Sequence, residues 1–493
     1  MLTAQNLVPI AAEVWLLVFA STVLLWDAAR PNPQRSSMLV QLGLLVSLGI
    51  NLGYLAAGNT LYAWGGMFVS DPLANFLKAG CTIATMVALH YSQSYVAQRG
   101  MHQAELYVLA VFALMGQMLM VSSSHLLLMY LGLELMSLSL YALVALRRDH
   151  AQSTEAAMKY FVLGALASGF LLYGISMLYG ATGTLDLSAI FKVLETGGTA
   201  LNRPTAVLAS VFIVAGLAFK FGAVPFHMWV PDVYDGSPTA VTLLVASAPK
   251  LAALGMALRI MVEGMLPLAA DWQPMFLFLG VASIAVGNVV AVMQTSFKRM
   301  LAYSTISHIG FVVLALAVGV VGTGASARAP AVDAYGAAVF YMSTYVLTTL
   351  LSFGIILLLA RAGFECDNIA DLKGLARRSP VLALLVLVTM FSLAGVPPLV
   401  GFWAKLEIIR ALLVANHLIV AVIAVLFSLV GAFYYLRVLK TVYFEEPSEA
   451  QAADKVIVPY ILLANGAAVV VLGLLPAWLM SLSVGVVKAA LST

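Results

Sequence analysis

Charge is what this sequence has least of. Only 10% of its 493 residues are Asp, Glu, Lys or Arg, against 62% hydrophobic, where a soluble domain carries roughly 25% charged residues. With a mean hydropathy of +1.00, the solvent for most of the chain is lipid, which leaves no room for a soluble catalytic domain. The formal net charge of +3 is small and scattered, and no basic run alternates with aromatics, which sets nucleic-acid binding aside. Cysteine is nearly absent. Cys81 and Cys366 have neither CxxC spacing nor a Cys/His cluster beside them, and an iron–sulfur or zinc site needs three or four ligands, so no such centre is expected in this chain alone. Of the seven histidines, His90, His102, His125, His150, His227, His308 and His417, only a minority fall at mid-membrane depth, which argues against a bis-histidine haem. A basic start is missing too. The first basic residue, Arg30, follows the first apolar run, so that run reads as a retained membrane helix and not as a cleaved signal.

What is present is a succession of apolar runs. At about 20 apolar residues per span, fourteen segments are expected, at 8–28, 38–57, 71–97, 104–122, 125–146, 155–180, 204–234, 237–262, 274–293, 300–320, 331–360, 380–414, 417–444 and 456–481. Lys and Arg alternate between the loops. One set of loops and ends holds Arg30, Arg35, Arg99, Arg147, Arg148, Lys298, Arg299, Arg361, Lys373, Arg377, Arg378, Arg437, Lys440 and Lys455; the other holds only Lys192, Arg203, Arg259, Arg328, Arg410 and Lys488. That bias, fourteen against six, predicts an even number of helices with both termini away from the cytoplasm.

Five lysines remain inside the spans: Lys78, Lys159, Lys220, Lys250 and Lys405. Ionisable side chains in hydrocarbon cost several kcal/mol and survive mainly where they pair or line a hydrated path. Lysine suits proton relay, because desolvation disfavours an ammonium and a nearby carboxylate favours it, so a neighbouring charge can toggle its proton. Glu134, in YLGLELMSLSLYAL, and Lys159, in EAAMKYFVLG, lie on adjacent spans, where a carboxylate–ammonium pair is geometrically possible; a structural staple between two helices is the plain alternative. Two runs carry a break in mid-span. KFGAVPFHMWVPDVYDG places Lys220 before Gly222, Pro225, His227 and Pro231, and FSLAGVPPLVGFWAKLE places Lys405 after a Gly-Val-Pro-Pro. Proline removes a backbone donor, and freed backbone groups at membrane depth are tolerated only beside protein or a water-filled cavity. A lysine at such a break reads as a gate. His227 has a hydrogen-bonded packing role as its plain alternative. Lys250 follows Pro249 deep in apolar sequence, and His308 sits among hydroxylated residues in YSTISHIGF. Lys78 lies seven residues from Asp71, with which it is expected to pair, and Glu407 reads as structural.

The Val-Pro of 224–225 returns at 396–397, and AAMKYF at 156–161 is echoed by AAVFYM at 337–342. Five spans separate the two breaks, and an odd number per unit places the copies in opposite orientations. The expected fold is all-α, polytopic, with about 14 transmembrane helices and two inverted five-helix repeats, each containing a broken helix. Its parts are 1–103 (three N-terminal helices), 104–262 (first repeat), 274–444 (second repeat) and 456–493 (a last helix).

KFGAVPFHMWVPDVY at 220–234, DGSPTAVT at 235–242, KRMLAYSTISHIGF at 298–311 and AGVPPLVGFWAK at 394–405 together resemble the antiporter-like subunits shared by respiratory complex I and the Mrp-type cation/proton antiporters. The resemblance covers essentially the whole chain. It implies that Glu134 and Lys220 match the glutamate and lysine whose pairing controls the half-channel taking protons in, that Lys250 matches the central lysine, and that Lys405 matches the lysine of the outgoing half-channel. Lys159, His227 and His308 match polar residues along the connecting hydrated axis. The expected function is that of a proton-translocating subunit of NADH:quinone oxidoreductase in the bacterial inner membrane, with a sodium/proton antiporter subunit of the Mrp type as the rival. No cofactor is expected in this chain; FMN, iron–sulfur clusters and quinone are expected in partner subunits, which include the other membrane-arm subunits and the paralogous antiporter-like ones.

Overall fold

The structure, a computed structural model, describes residues 4–101, 103–197, 201–320, 328–360, 364–446 and 457–491. His102, Arg361 and Lys455 lie outside the described residues, as does the side chain of Arg328. Eighteen helices carry the architecture: α1 (Ala11–Ala29), α2 (Pro33–Ala57), α3 (Pro72–Gln98), α4 (Ala104–Val121), α5 (Leu126–Val144), α6 (Ala151–Thr182), α7 (Arg203–Phe221), α8 (Trp229–Gly236), α9 (Thr239–Ala246), α10 (Ala248–Ala257), α11 (Ala269–Val292), α12 (Phe297–Ala317), α13 (Arg328–Leu359), α14 (Pro380–Ala394), α15 (Val400–Val414), α16 (Leu418–Phe444), α17 (Tyr460–Leu474) and α18 (Pro476–Leu491). Each of the fourteen expected segments coincides with one of these or with a broken series of them.

Among the described residues, twelve helical stretches are long and apolar enough to cross a membrane, or thirteen when α17 and α18 are taken as one span. The twelfth expected segment falls outside that count because the chain breaks it into α14 and α15, each of 15 residues. The last segment departs from expectation: α17 ends at Leu474, and α18 turns away from it by 84°. Pro476 opens α18, where its missing donor is harmless. One element went unforeseen, a hairpin in which Leu61–Ala63 pairs antiparallel with Phe68–Ser70 around Gly65, whose φ is +67°.

Burial sorts the helices. Over the 18-residue apolar window that would cross the membrane, Thr239–Gly264 is wholly buried and Phe297–Ala317 94% buried, whereas α1, α2 and α16 are only 28% buried. Helices buried on all sides form the centre of the bundle, and the outer ones present apolar side chains to lipid. Glycines let neighbours approach closely: a Cβ on Gly116 would fall 2.4 Å from the Met136 nitrogen, and one on Gly280 would fall 3.0 Å from the Gly310 carbonyl.

Polar contacts group the loops as the charge alternation requires. Arg99 and Arg147 reach Glu365 (2.8 and 3.6 Å), Lys298 reaches Asp367 (2.8 Å), Arg299 reaches Asp232 (3.1 Å) and Lys373 reaches Glu445 (3.5 Å), so these lysine- and arginine-rich loops share one face. At the opposite ends of the helices, Arg203 pairs with Asp271 at 3.2 Å. Burial alone would raise the Glu365 carboxyl, but hydrogen bonds from Arg99 and Tyr95, with the charges of Arg99 and Lys298, outweigh it and hold the group below the usual carboxylate range.

Two buried ion pairs correct the expectations. Lys78 does not meet Asp71: its ammonium lies 2.7 Å from Glu13 of α1, both side chains being nearly inaccessible, and 4.8 Å from the centre of the Phe68 ring. Asp71 instead receives Arg259 through both carboxylate oxygens at 2.7 and 2.8 Å. Arg259, expected in a loop, is 2% exposed. Seven residues put Lys78 and Asp71 on one face of α3 but about 10 Å apart along it, beyond bonding reach, and each finds a partner on another helix.

Removing one member of a buried pair strands the other charge at a cost of about 3–5 kcal/mol. Glu13→Met should therefore lower the thermal stability of the membrane-extracted protein markedly, and Glu13→Met with Lys78→Met should recover most of the loss; equal losses in the single and double variants would contradict this. For Glu365 the lowered native value means that its stabilisation is complete above the ordinary value of 4.5 and is lost as pH falls through the native one. An acid titration of thermal stability should show that step in the unmodified chain and a smaller one in Glu365→Gln.

Candidate functional site

Both sequence breaks are helix ends built alike. Helix α7 stops at Phe221 and α14 at Ala394, and each is capped by a glycine in the left-handed region, Gly222 with φ +76° and Gly395 with φ +83°. The amide of Ala223 donates to Ala218 O (2.8 Å) and that of Val396 to Phe391 O (2.9 Å), the wrap expected of a glycine cap. Neither wrap satisfies every terminal carbonyl, and lysines complete the set. Lys250, from α10, donates to Phe221 O at 2.8 Å and approaches Lys220 O at 3.5 Å. Lys405, from α15, donates to Leu393 O and Ala394 O, both at 3.0 Å. Each ammonium thus sits at the negative end of a half-helix, over an aromatic ring: Trp229 for Lys250 at 5.1 Å and Phe311 for Lys405 at 5.6 Å. Trp229 is itself pinned by its indole N–H to Phe219 O at 2.9 Å.

Lys220, in the last turn of α7, turns the other way. Its ammonium donates to Ser137 Oγ of α5 at 3.0 Å. Glu134 lies one turn from Ser137 on the same helix; its Oε1 is buried without a hydrogen-bond partner. The structure thus brings Glu134, Ser137, Lys220 and Lys250 to one locality, with Lys220 bonded to a hydroxyl one turn along α5 from the carboxylate and not to the carboxylate itself.

His308, in the centre of α12, is held from both sides. Tyr341 OH lies 2.7 Å from Nδ1 and Tyr435 OH 3.1 Å from Nε2. Tyr435 continues to Ser304 at 2.5 Å, and Tyr345 OH donates to Thr305 Oγ1 at 2.8 Å. Beside His308 a cavity of about 10 Å3, lined by Tyr341, Tyr345, Thr348 and Ser392, reaches Leu393, whose carbonyl holds Lys405. That volume is about one water. Hydroxyls that both donate and accept therefore run from His308 to the second break.

Two predicted site residues lie elsewhere. Lys159 does not reach Glu134: it is 44% exposed and paired with Glu155 and Asp232, each at 2.8 Å, where Asp232 also receives Arg299. Its place about two turns inside α6 leaves the long side chain able to reach the charged face. His227 stands in the turns between α7 and α8, partly buried, with Nδ1 lacking a hydrogen-bond partner. Glu407 pairs with Arg410 at 2.9 Å. Sequence reasoning missed Tyr341, Tyr345, Tyr435 and Ser137. A tyrosine in a membrane helix carries no signal of its own, although Ser137 could have been found three residues from Glu134. Among the described residues, no group of three or more His, Cys, Asp or Glu could hold a metal ion.

Residues 123–431 match the family described as NADH:quinone oxidoreductase/Mrp antiporter, transmembrane, a stretch that holds both breaks, Glu134, His308 and all three break lysines. The chain belongs to the NADH:quinone oxidoreductase/Mrp antiporter family. Within that family it is 54% identical over 483 residues, 97% of each chain, to a protein of Herminiimonas arsenicoxydans named NADH-quinone oxidoreductase subunit N. A protein of the same name from Nitrosomonas europaea is 48% identical, over 97% of this chain and 98% of its own. Among solved structures, a chain of respiratory complex I from Thermus thermophilus superposes with a TM-score of 0.79 at 34% identity, covering 95% of this chain and 98% of its own. A chain of the Mrp complex from Dietzia shares the fold, with a TM-score of 0.81 at 20% identity over 97% of both chains. The region characteristic of the NADH:quinone oxidoreductase/Mrp antiporter family leaves α1–α4, α17 and α18 outside it.

A Cβ on Gly395 would lie 2.9 Å from Lys405 Cδ, and its φ is strained for any other residue at about 1–3 kcal/mol. Gly395→Ala should displace Lys405 from the α14 terminus and reduce proton transport by membranes carrying it, with the helix content unchanged by circular dichroism. Wild-type transport in that variant would show that the lysine's placement is not needed.

Proposed function

We propose that this chain is the N-type antiporter-like membrane subunit of a proton-translocating NADH:quinone oxidoreductase, and that protons cross it by way of Glu134, Lys220, Lys250, His308 and Lys405. The observation that carries the reading is the pair of lysines donating to the freed carbonyls of two broken helices. Such a lysine has a bonded seat when charged, and the carbonyls it leaves must find another donor, so protonation and local hydration are tied together at each break.

A disturbance reaching Glu134 changes the field at Lys220. Lys220 exchanges its proton with the neighbourhood of Lys250, whose ammonium already approaches the Lys220 carbonyl. The hydroxyl set around His308 then takes the proton across to the cavity at Ser392 and so to Lys405. His227, in the turns between the two halves of the first break, and Lys159, on the charged face with Asp232, lie off this route and serve in gathering protons toward it. Every step moves a proton between groups of this chain and needs no metal or nucleotide. Moving one charge against 100 mV requires about 2.3 kcal/mol, so the energy comes from redox chemistry in partner subunits, where FMN, iron–sulfur clusters and quinone belong. The partners are the other membrane-arm subunits, including the paralogous antiporter-like ones.

The same proposal places the chain in the bacterial inner membrane, with its lysine- and arginine-rich face in the cytoplasm and both termini opposite, and reads 104–262 and 274–444 as inverted five-helix repeats, flanked by 1–103 and 456–493. The relatives named as subunit N, at about half identity, favour this over a sodium/proton antiporter, for which only the shared fold speaks. Lys220→Ala should abolish most NADH-driven proton pumping in inverted membrane vesicles while the assembled complex persists. Retention of both pumping and NADH:quinone reductase activity would overturn the role given to Lys220.

A further inference from the structure

One buried charged group plays no part in the route above. Where α10 runs out, Leu258–Gly264 forms a π-helical turn, a local geometry found often at functional sites. Arg259, within this turn, holds two carboxylates. Asp71 takes its Nη2 through both oxygens and also accepts the Ala74 amide at 2.7 Å. Glu263 takes Nη1 through one oxygen, at 2.5 Å. Arg259 Nε is spent on Val121 O at 3.1 Å.

The two carboxylates are not equivalent. Asp71 is fully bonded and 1% exposed, so it and Arg259 form a neutral pair. Glu263 is the excess group: ionised, it gives the triad one net negative charge, and with a proton it leaves the triad neutral. Its side chain is 20% exposed and lines a cavity of about 10 Å3 with Tyr335, Leu73, Val487 and Leu491, room for about one water. Tyr335 is fully buried, and its hydroxyl has no hydrogen-bond partner, the mark of a site that expects a polar guest. Among the described residues, the charged groups bonded to or lining this place are Arg259, Asp71 and Glu263; α18 and α3 otherwise offer it apolar side chains.

Glu263 is also in line with the relay. Helix α3 runs antiparallel to the central stretch, with Cys81 bonding Ala248 O, Gly80 beside Leu251, Leu77 beside Gly255 and Asp71 bonding Arg259. Lys250, the Glu13–Lys78 pair and the Arg259 triad therefore follow one another in depth towards the face that carries the N-terminus. Thirteen residues of helix separate Lys250 from Glu263, about 20 Å of rise, and the buried Glu13–Lys78 pair occupies the interval.

We propose that Glu263 is a proton-exchange site of the first half, through which protons associated with Lys250 pass to or from the N-terminal face by way of the water-sized cavity at Tyr335. It rests on the reading that Lys220 and Lys250 carry protons, and it adds a port distinct from the one served by Lys405. Asp71 and Arg259 position the carboxylate; Glu263 alone changes its proton.

The test uses the assembled complex in inverted vesicles. Glu263→Gln keeps an acceptor for Arg259 but cannot exchange a proton, and should slow NADH-driven pumping by about 100-fold or more, as loss of a proton-transfer group does. Glu263→Asp should retain most of it. Dicyclohexylcarbodiimide, which attacks protonated carboxyls in apolar surroundings, should label Glu263 and spare Asp71 in peptide mass spectra of the unmodified complex. Wild-type pumping in Glu263→Gln while Lys220→Ala is inactive overturns this inference and leaves the proposed function standing; wild-type pumping in both overturns the two together. Should Glu263→Gln fail to assemble, the labelling decides: an unlabelled Glu263, or a labelled Asp71, overturns the assignment.

Discussion

Within lipid, a backbone carbonyl that loses its helical partner has no water to turn to. Everything particular about this chain follows from how it meets that constraint at Phe221 and at Leu393–Ala394. An unbroken helix would need no further donors there. Because glycine and proline interrupt the two helices, the open carbonyls require donors, and lysines from α10 and α15 supply them. In the proposed function, this structural need and the transport device are the same contact. Lys250 and Lys405 donate to the open carbonyls at the breaks; on the proposed route, a change in their protonation would change the local backbone hydration, the coupling that route requires.

The central helices explain why such contacts persist. Thr239–Gly264 and Phe297–Ala317 are enclosed by other helices, so Lys250 and His308 are shielded from lipid by protein and do not snorkel. Around His308 the tyrosines supply hydroxyls that change from donor to acceptor without rearranging the packing. The outer helices, with their apolar surfaces, act as the jacket. Charged pairs at the two faces, Arg299 with Asp232 on one and Arg203 with Asp271 on the other, align the helix ends.

Much of this was legible beforehand. Hydropathy placed all fourteen apolar segments, and glycine with proline marked both breaks to within a residue or two, because these residues act locally. The loops expected on one side do meet, since charge alternation reports topology directly. What escaped was whatever depends on helix rotation. Spacing on α3 put Lys78 near Asp71, but their true partners come from α1 and from the π-helical turn, and no single-chain pattern encodes which helices face α3. Arg259 was read as a loop cation because it closes an apolar run; its burial comes from Asp71, 188 residues away. Lys159 was drawn too deep for the same reason, since a long side chain near a helix end can turn to the charged face. The tyrosines flanking His308 come from α13 and α16, far off in sequence.

The bend after α17 has a wider reach than its own residues. By folding back at 84°, α18 lies against both α13 and α3, and Val484 seats against Gly336. Helix α18 thus braces α3, which stands outside the family's shared region, against α13 in the later half of the chain. A helix from late in the chain thereby completes the packing around one from its first hundred residues, so the two ends of the bundle are held together by side contact and not by the loops between them.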